Sequence, residues 1–156
     1  LKVIEYVQPV LRTFYPEWDG ETYTVTVESN LTISNFDFSH SLAQISFNVT
    51  GPEGGTGPCN VSIPEAFMWV DVLDEWNVTI NGVPLDVEER TVTYNGTNYN
   101  IYFPCNTSTI TIGIISRYVV PEFPSFLLLP SFMIATLLAV IVYRRKYRAV
   151  PKERTQ

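Results

Sequence analysis

"AQISFNVTGPEGGTGPCNVSIP", Ala43 to Pro64, decides how the body of this chain folds. Ile45, Phe47 and Val49 alternate with polar residues, and Val61 and Ile63 do so again after a stretch dense in Gly and Pro. A period of two places alternate side chains on one face of a strand, and the Gly/Pro cluster reverses the chain between two such strands. The same pattern runs outward in both directions. "TYTVTVE" puts Tyr23, Val25 and Val27 on one face, and "WNVTI", "TVTY", "YNIYF" and "STITIGII" continue it with β-branched and aromatic residues. Turn signals stand between them, at "NGVP" (81–84) and "YNGTN" (94–98). One interruption, "IPEAFMWVDVLDEW", offers Pro64, Ala66, Phe67 and Met68 as a short helical turn.

Many short strands with turns every eight to twelve residues or so, and no long amphipathic helix, predict an all-β fold: an antiparallel β-sandwich, immunoglobulin-like or fibronectin-like, with a small barrel as the alternative. The expected organisation has five parts. Residues 1–21 are an N-terminal strand or a linker from an upstream region, made irregular by Pro9 and Pro16; 22–118 are the sandwich; 119–124 are a Pro-containing stalk; 125–143 are a transmembrane helix; 144–156 are a basic tail. The start, "LKVIEYVQP", has no Met, basic n-region or apolar h-region. Either a signal peptide has been removed or a longer surface protein precedes this piece, and the second is the reading preferred here.

The helix is read from charge. Up to Ser125 there are four basic residues against fifteen acidic ones, a net of −11; from Phe126 onward there are six against one, a net of +5. An acidic body argues against polyanion binding, because nucleic-acid affinity depends on Lys and Arg at phosphates. From Phe123 to Tyr143 there are 21 residues without a charge. As a helix they would reach about 31 Å, close to the hydrocarbon thickness of a bilayer. Arg144, Arg145, Lys146 and Arg148 follow at once. By the positive-inside rule they place the C-terminus in the cytoplasm and the acidic body outside. A buried core helix, the bland alternative, would normally show a polar face, and "FMIATLLAVIVY" offers only Thr136.

Two further features fit an exported body. Sequons for N-glycosylation stand at Asn30, Asn48, Asn60, Asn77, Asn95 and Asn106. Ser and Thr fill 26 of 156 positions, so the ten Asn residues would give roughly two sequons by chance. None lies behind the apolar run. The only cysteines, Cys59 and Cys105, would close a loop of 46 residues if bridged. Such a bridge contributes roughly 4 kcal/mol in the chain-entropy model, and the alternative is two buried thiols acting as small hydrophobes.

Chemistry is sparse. A catalytic triad would need His40, set in the loop-like "FDFSHSLA"; Asp71, Asp74 and Glu75 lack a glycine-turned calcium loop; and two Cys with one His, without a C-x-x-C pair, do not make a zinc site. No catalytic, cofactor-binding or metal-binding residue is assigned. Of the three Trp, Trp69 and Trp76 occupy apolar positions that suit a core, whereas Trp18 in "YPEWDGE" is the better surface candidate for stacking on a sugar.

"SNLTISNFDFSHSLAQISFNVTGPEGGTGPCNVSIPEAFMW", "WNVTINGVPL", "YNIYFPCNTSTITIGII" and "VVPEFPS", in that order, resemble a C-terminal module of archaeal cell-surface proteins. The resemblance covers about Tyr23 to Arg148 and implies a membrane-anchoring β-sandwich without known catalysis, beneath variable N-terminal domains and among other surface-layer components. The tail is similar to the PEF-CTERM class of archaeal sorting signals. Pro121, Glu122 and Phe123 match its motif, and Arg144, Arg145 and Lys146 match its basic cluster. That class implies an archaeosortase-like processing enzyme as a partner beside the lipid bilayer. The chain departs from it in "YRAVPKERTQ", which continues past the point where such signals usually stop.

Overall fold

A computed structural model describes residues 8–106, 109–120 and 125–148, with the side chains of the last segment described from 132 to 146. The chain divides into two compact units, Leu1–Val120 and Pro121–Gln156. In the first, the strands in chain order are β1 (Val10–Phe14), β2 (Glu17–Trp18), β3 (Glu21–Thr22), β4 (Val25–Ser29), β5 (Thr32–Ser39), β6 (Gln44–Thr50), β7 (Thr56–Pro64), β8 (Met68–Trp69), β9 (Asn77–Ile80), β10 (Val83–Pro84), β11 (Thr91–Tyr94), β12 (Asn98–Asn106), β13 (Ile110–Ile115) and β14 (Tyr118–Val119). The second holds a helix, α1, over Ser125–Arg148.

Two five-stranded antiparallel sheets carry the all-β architecture, ordered β1-β4-β7-β12-β11 and β10-β9-β13-β6-β5. Their inward faces are the alternating positions of the sequence. In the first sheet Val27 pairs with Val61 and Val61 with Ile101; in the second Ile112 pairs with Phe47 and Ile80. Val25, Val27, Val61, Ile63, Ile101 and Phe103 meet Ile45, Phe47, Val78, Ile112 and Ile114 in a single core, all of them fully buried. Each such side chain contributes about 1.5–3 kcal/mol relative to an exposed one, before the cost of ordering the chain is subtracted. Because the side-chain period is two, a one-residue slip in any strand would turn this set to water, so the pattern also fixes the register.

Turn chemistry behaves as expected at "NGVP". Asn81 (φ 51) and Gly82 (φ 80) are both left-handed between Ile80 and Val83, the backbone of a type I′ hairpin. The short turn expected at Pro64–Met68 is present as a single turn, with Phe67 N–H donating to Pro64 O at 3.0 Å before Met68 enters β8, and a 3₁₀ turn follows at Leu73–Glu75. The sandwich also begins earlier than residue 22. β1 pairs along its full length with β4, and Phe14 stacks on Phe36 with ring centroids 4.3 Å apart, so the segment flanked by Pro9 and Pro16 is a true edge strand. At the other end Val119, expected as the first stalk residue, is paired in β14 with Met68.

Gly57 sits inside this packing for a steric reason. A Cβ there would press on Asn30 Oδ1 and lie 2.8 Å from Leu31 Cγ. We expect Gly57→Ala to lower stability by about 1–3 kcal/mol, the usual cost of overpacking. A thermal melt of the variant against the parent chain checks it, and Gly54→Ala, with open space around it but a left-handed φ of 70°, gives the contrasting case of backbone strain without a clash.

Candidate functional site

The end of the sandwich from which the chain leaves is held from several elements. β14 pairs with β8, and Val120 N–H donates to Phe67 O at 2.9 Å. His40 Nε2 lies 2.9 Å from Val120 O; since a carbonyl only accepts, the ring nitrogen donates. The imidazole is stacked on the Trp18 indole at 3.8 Å with the planes 9° apart. Trp18 is therefore half-buried against His40, not the open stacking platform that its sequence setting suggested. His40 serves the exit strand through this hydrogen bond. His40→Ala should leave the fold intact and speed hydrogen exchange at the Val120 amide by about threefold to tenfold, the worth of one hydrogen bond at this latch.

Outside this latch lies a polar cluster that closes on itself. Arg117 pairs with Glu75 and stands 4.0 Å from Asp71, and the Tyr118 hydroxyl donates to Asp71 Oδ2 at 2.9 Å. Desolvation works to raise the Glu75 carboxyl, but Arg117 and the Val72 and Asp71 amides outweigh it and hold it below the usual carboxylate range. The bond to Asp71 pushes the Tyr118 phenol up. Trp69, expected in the core, is half-buried and stacks on Tyr118 at 5.5 Å. Asp71 and Glu75, weighed as calcium ligands, are occupied by a cation and a hydroxyl. Among the described residues no group of three or more His, Cys, Asp or Glu is placed to hold a metal.

A cavity of about 330 Å³ opens between the two sheet edges, lined by Phe14, Tyr15, Phe36 and Phe38 with the exposed carboxylates of Glu17 and Asp37. Phe36 and Asp37 of its lining follow directly on the point where β5 breaks register between Ser34 and Asp37, with Asn35 left-handed at φ 51. Aromatic faces beside hydrogen-bond acceptors suit a sugar ring, and a bulge at a sheet edge re-aims side chains in this way. The spacing of Phe36 and Phe38 in "NFDFSH" could have signalled a shared aromatic face. The partner strand could not have been read from that spacing.

The sequon asparagines are unequal. Asn95 and Asn106 are exposed; Asn30, Asn48, Asn60 and Asn77 are half-buried. Asn95 Oδ1 accepts from Thr97 N (3.0 Å) and Asn98 N (2.8 Å), so its amide nitrogen is turned away from the backbone it caps. Asn48 Oδ1 accepts from Thr111 Oγ1 at 3.1 Å on the outer face of the second sheet, and Asn30 packs over Gly57. Cys59 and Cys105 are both fully buried, on neighbouring strands β7 and β12, with Sγ atoms 3.2 Å apart.

In the C-terminal unit every described side chain of α1, from 132 to 146, is exposed. The Thr136 hydroxyl donates back to Phe132 O (3.0 Å) and Met133 O (2.9 Å), which satisfies it within the helix itself. Among the described residues no helix is long and apolar enough to cross a membrane. Arg144, Arg145 and Lys146 end the described side chains; Arg148 is the last helical residue, and Pro121, Glu122 and Phe123 lie outside the described residues. No family model matches this chain, and no curated protein or solved structure matches it either.

Proposed function

We propose that this chain is a non-catalytic, membrane-proximal stalk and anchor domain of a glycosylated archaeal surface protein, with the sandwich outside, α1 in the bilayer and the basic cluster in the cytoplasm. The observation that carries the reading is the run from Phe123 to Tyr143, 21 residues without a charge, whose described side chains from 132 onward on α1 are all exposed and whose Thr136 hydroxyl is turned back on the helix's own carbonyls. An all-round apolar helix needs either a large protein core or lipid around it. The −11 body before it and the cationic cluster after it give the orientation. The further likeness to an immunoglobulin-like or fibronectin-like arrangement belongs to this proposal, supported by two five-stranded antiparallel sheets whose neighbours are mostly non-consecutive. So do occupancy of the sequons, with Asn95 and Asn106 the most accessible, and contact with surface-layer components. Retention of the helix is favoured over archaeosortase-like cleavage at Pro121–Phe123 by the polar tail after Arg148.

The experiment is fractionation of two versions, the whole chain and one ending at Val120. The whole chain should stay with membranes through alkaline extraction and the shorter one should be released; release of both would end the anchor reading. A second function, adhesion to glycans, is favoured by the aromatic cavity with its two open carboxylates. Binding on a glycan array that is lost in Tyr15→Ala and Asp37→Asn would support it, and no binding by the parent would reject it.

A further inference from the structure

Cys59 and Cys105 carry the observations furthest. In the β7–β12 register Cys59 stands opposite Phe103 and Cys105 opposite Gly57, so the two cysteines are diagonal neighbours pointing to the same inner face. Diagonal positions are usually too widely spaced for a bond, at about 7–8 Å between Cα atoms. Here the partner of Cys105 is Gly57, and the two sulfurs nevertheless lie 3.2 Å apart. From there, each sulfur need move only about 0.6 Å to reach bonding distance. Ser29 Oγ accepts from the Cys59 thiol at 3.7 Å and from Leu31 N at 3.1 Å and donates to Pro58 O at 2.7 Å, so the one polar side chain bonded to the pair is itself tied into the packing.

Both sulfurs are fully shielded from solvent by the two packed sheets. Formation of a disulfide by exchange requires a thiolate to attack an external disulfide, a mixed disulfide to form, and the second thiolate to displace the carrier. None of these steps has room in the closed sandwich.

We infer that Cys59 and Cys105 form a cross-strand disulfide that closes before the two sheets dock, and that docking then seals it from reductants. Two S–H bonds are lost and one S–S bond forms; the two electrons and two protons pass to an external disulfide, of the glutathione or exchange-protein class, which leaves as two thiols. In the cell this needs the oxidising exterior of the proposed function, whereas the order of events can be tested without it.

The test uses the whole chain in detergent, fully reduced, offered oxidised glutathione either while folded or while unfolded in urea before refolding. The unfolded arm should lose two hydrogens by intact mass, and the folded arm should do so about a thousandfold more slowly, at the rate at which the sandwich opens. The refolded product should resist dithiothreitol until urea is added. Cys105→Ser, refolded alongside, should keep Cys59 unreactive to alkylation while folded and form no internal bond. Equal rates in the two arms, or an unfolded arm that refolds with both thiols free, would overturn the inference. Closure in vitro together with reduced thiols in chain taken from cells would support the bond and count against the exported location.

Discussion

Trp76→Ala should destabilise the sandwich by about 3–5 kcal/mol, the range for removing a large aromatic from a core. The indole is fully buried and lies 5.3 Å from the Tyr99 ring at a tilt of 59°. Domains of this size are stable by only about 5–15 kcal/mol, so the variant would sit near the edge of folding. Among the described residues its Nε1 has no hydrogen-bond partner, which gives the prediction a second arm. Trp76→Phe keeps most of the apolar contact and removes a donor whose burial without a partner costs about 1–3 kcal/mol, so it should be far milder than Trp76→Ala. Urea unfolding followed by circular dichroism reads both. A shift for Trp76→Ala no larger than that for Trp76→Phe would mean that the two sheets do not close over this residue.

Placing charge in α1 should have the other large effect. Leu138→Arg with Ile141→Asp puts two ions in the middle of the apolar run, each costing about 2.5–3.5 kcal/mol for insertion at a helix centre. Both parent side chains are exposed, so neither change disturbs a protein core. The expected outcome is transfer of the chain from the membrane fraction to the soluble fraction, with the sandwich still folded by circular dichroism. The same pair of changes leaving the chain in the membrane would show that something other than α1 holds it there. Thr136→Val is the matching control. It removes a hydroxyl that the helix already satisfies, so partition should not change.

How much of this was legible in the sequence depended on whether a residue answers to its neighbours along the chain or across it. Ile45, Phe47 and Val49, or Ile101 and Phe103, announce their inward face by alternation, because a strand in the middle of a sheet has one wet side and one dry side. β1 carries no such signal. It is an edge strand, exposed from Val10 to Thr13, and only Phe14 reaches the aromatic seam, so "VLRTF" between two prolines reads equally as a strand or a linker. The two-residue pieces β8 and β14 are held by each other, in pairs 49 and 51 residues apart in the chain, and have no pattern of their own. The latch has the same origin: His40 and Val120 are separated by 80 residues, and the ring that makes their hydrogen bond stacks on Trp18 from a third segment. Alternation does place Phe36 and Phe38 together, but the cavity they line depends on Phe14 and Tyr15 arriving from the other sheet's edge. The cysteine pair is intermediate. Two Cys on neighbouring strands could be suspected from composition, whereas their diagonal register comes from pairing alone.

The central claim is sidedness: an acidic sandwich on one side of a bilayer and Arg144–Lys146 on the other. It is tested most directly by protease protection on sealed, right-side-out vesicles carrying the whole chain with an epitope at each end. External protease, with the sandwich loosened by mild denaturant, should remove the N-terminal epitope and leave the C-terminal one intact until detergent opens the vesicle. Loss of the C-terminal epitope in sealed vesicles, or protection of the N-terminal one, would contradict the account.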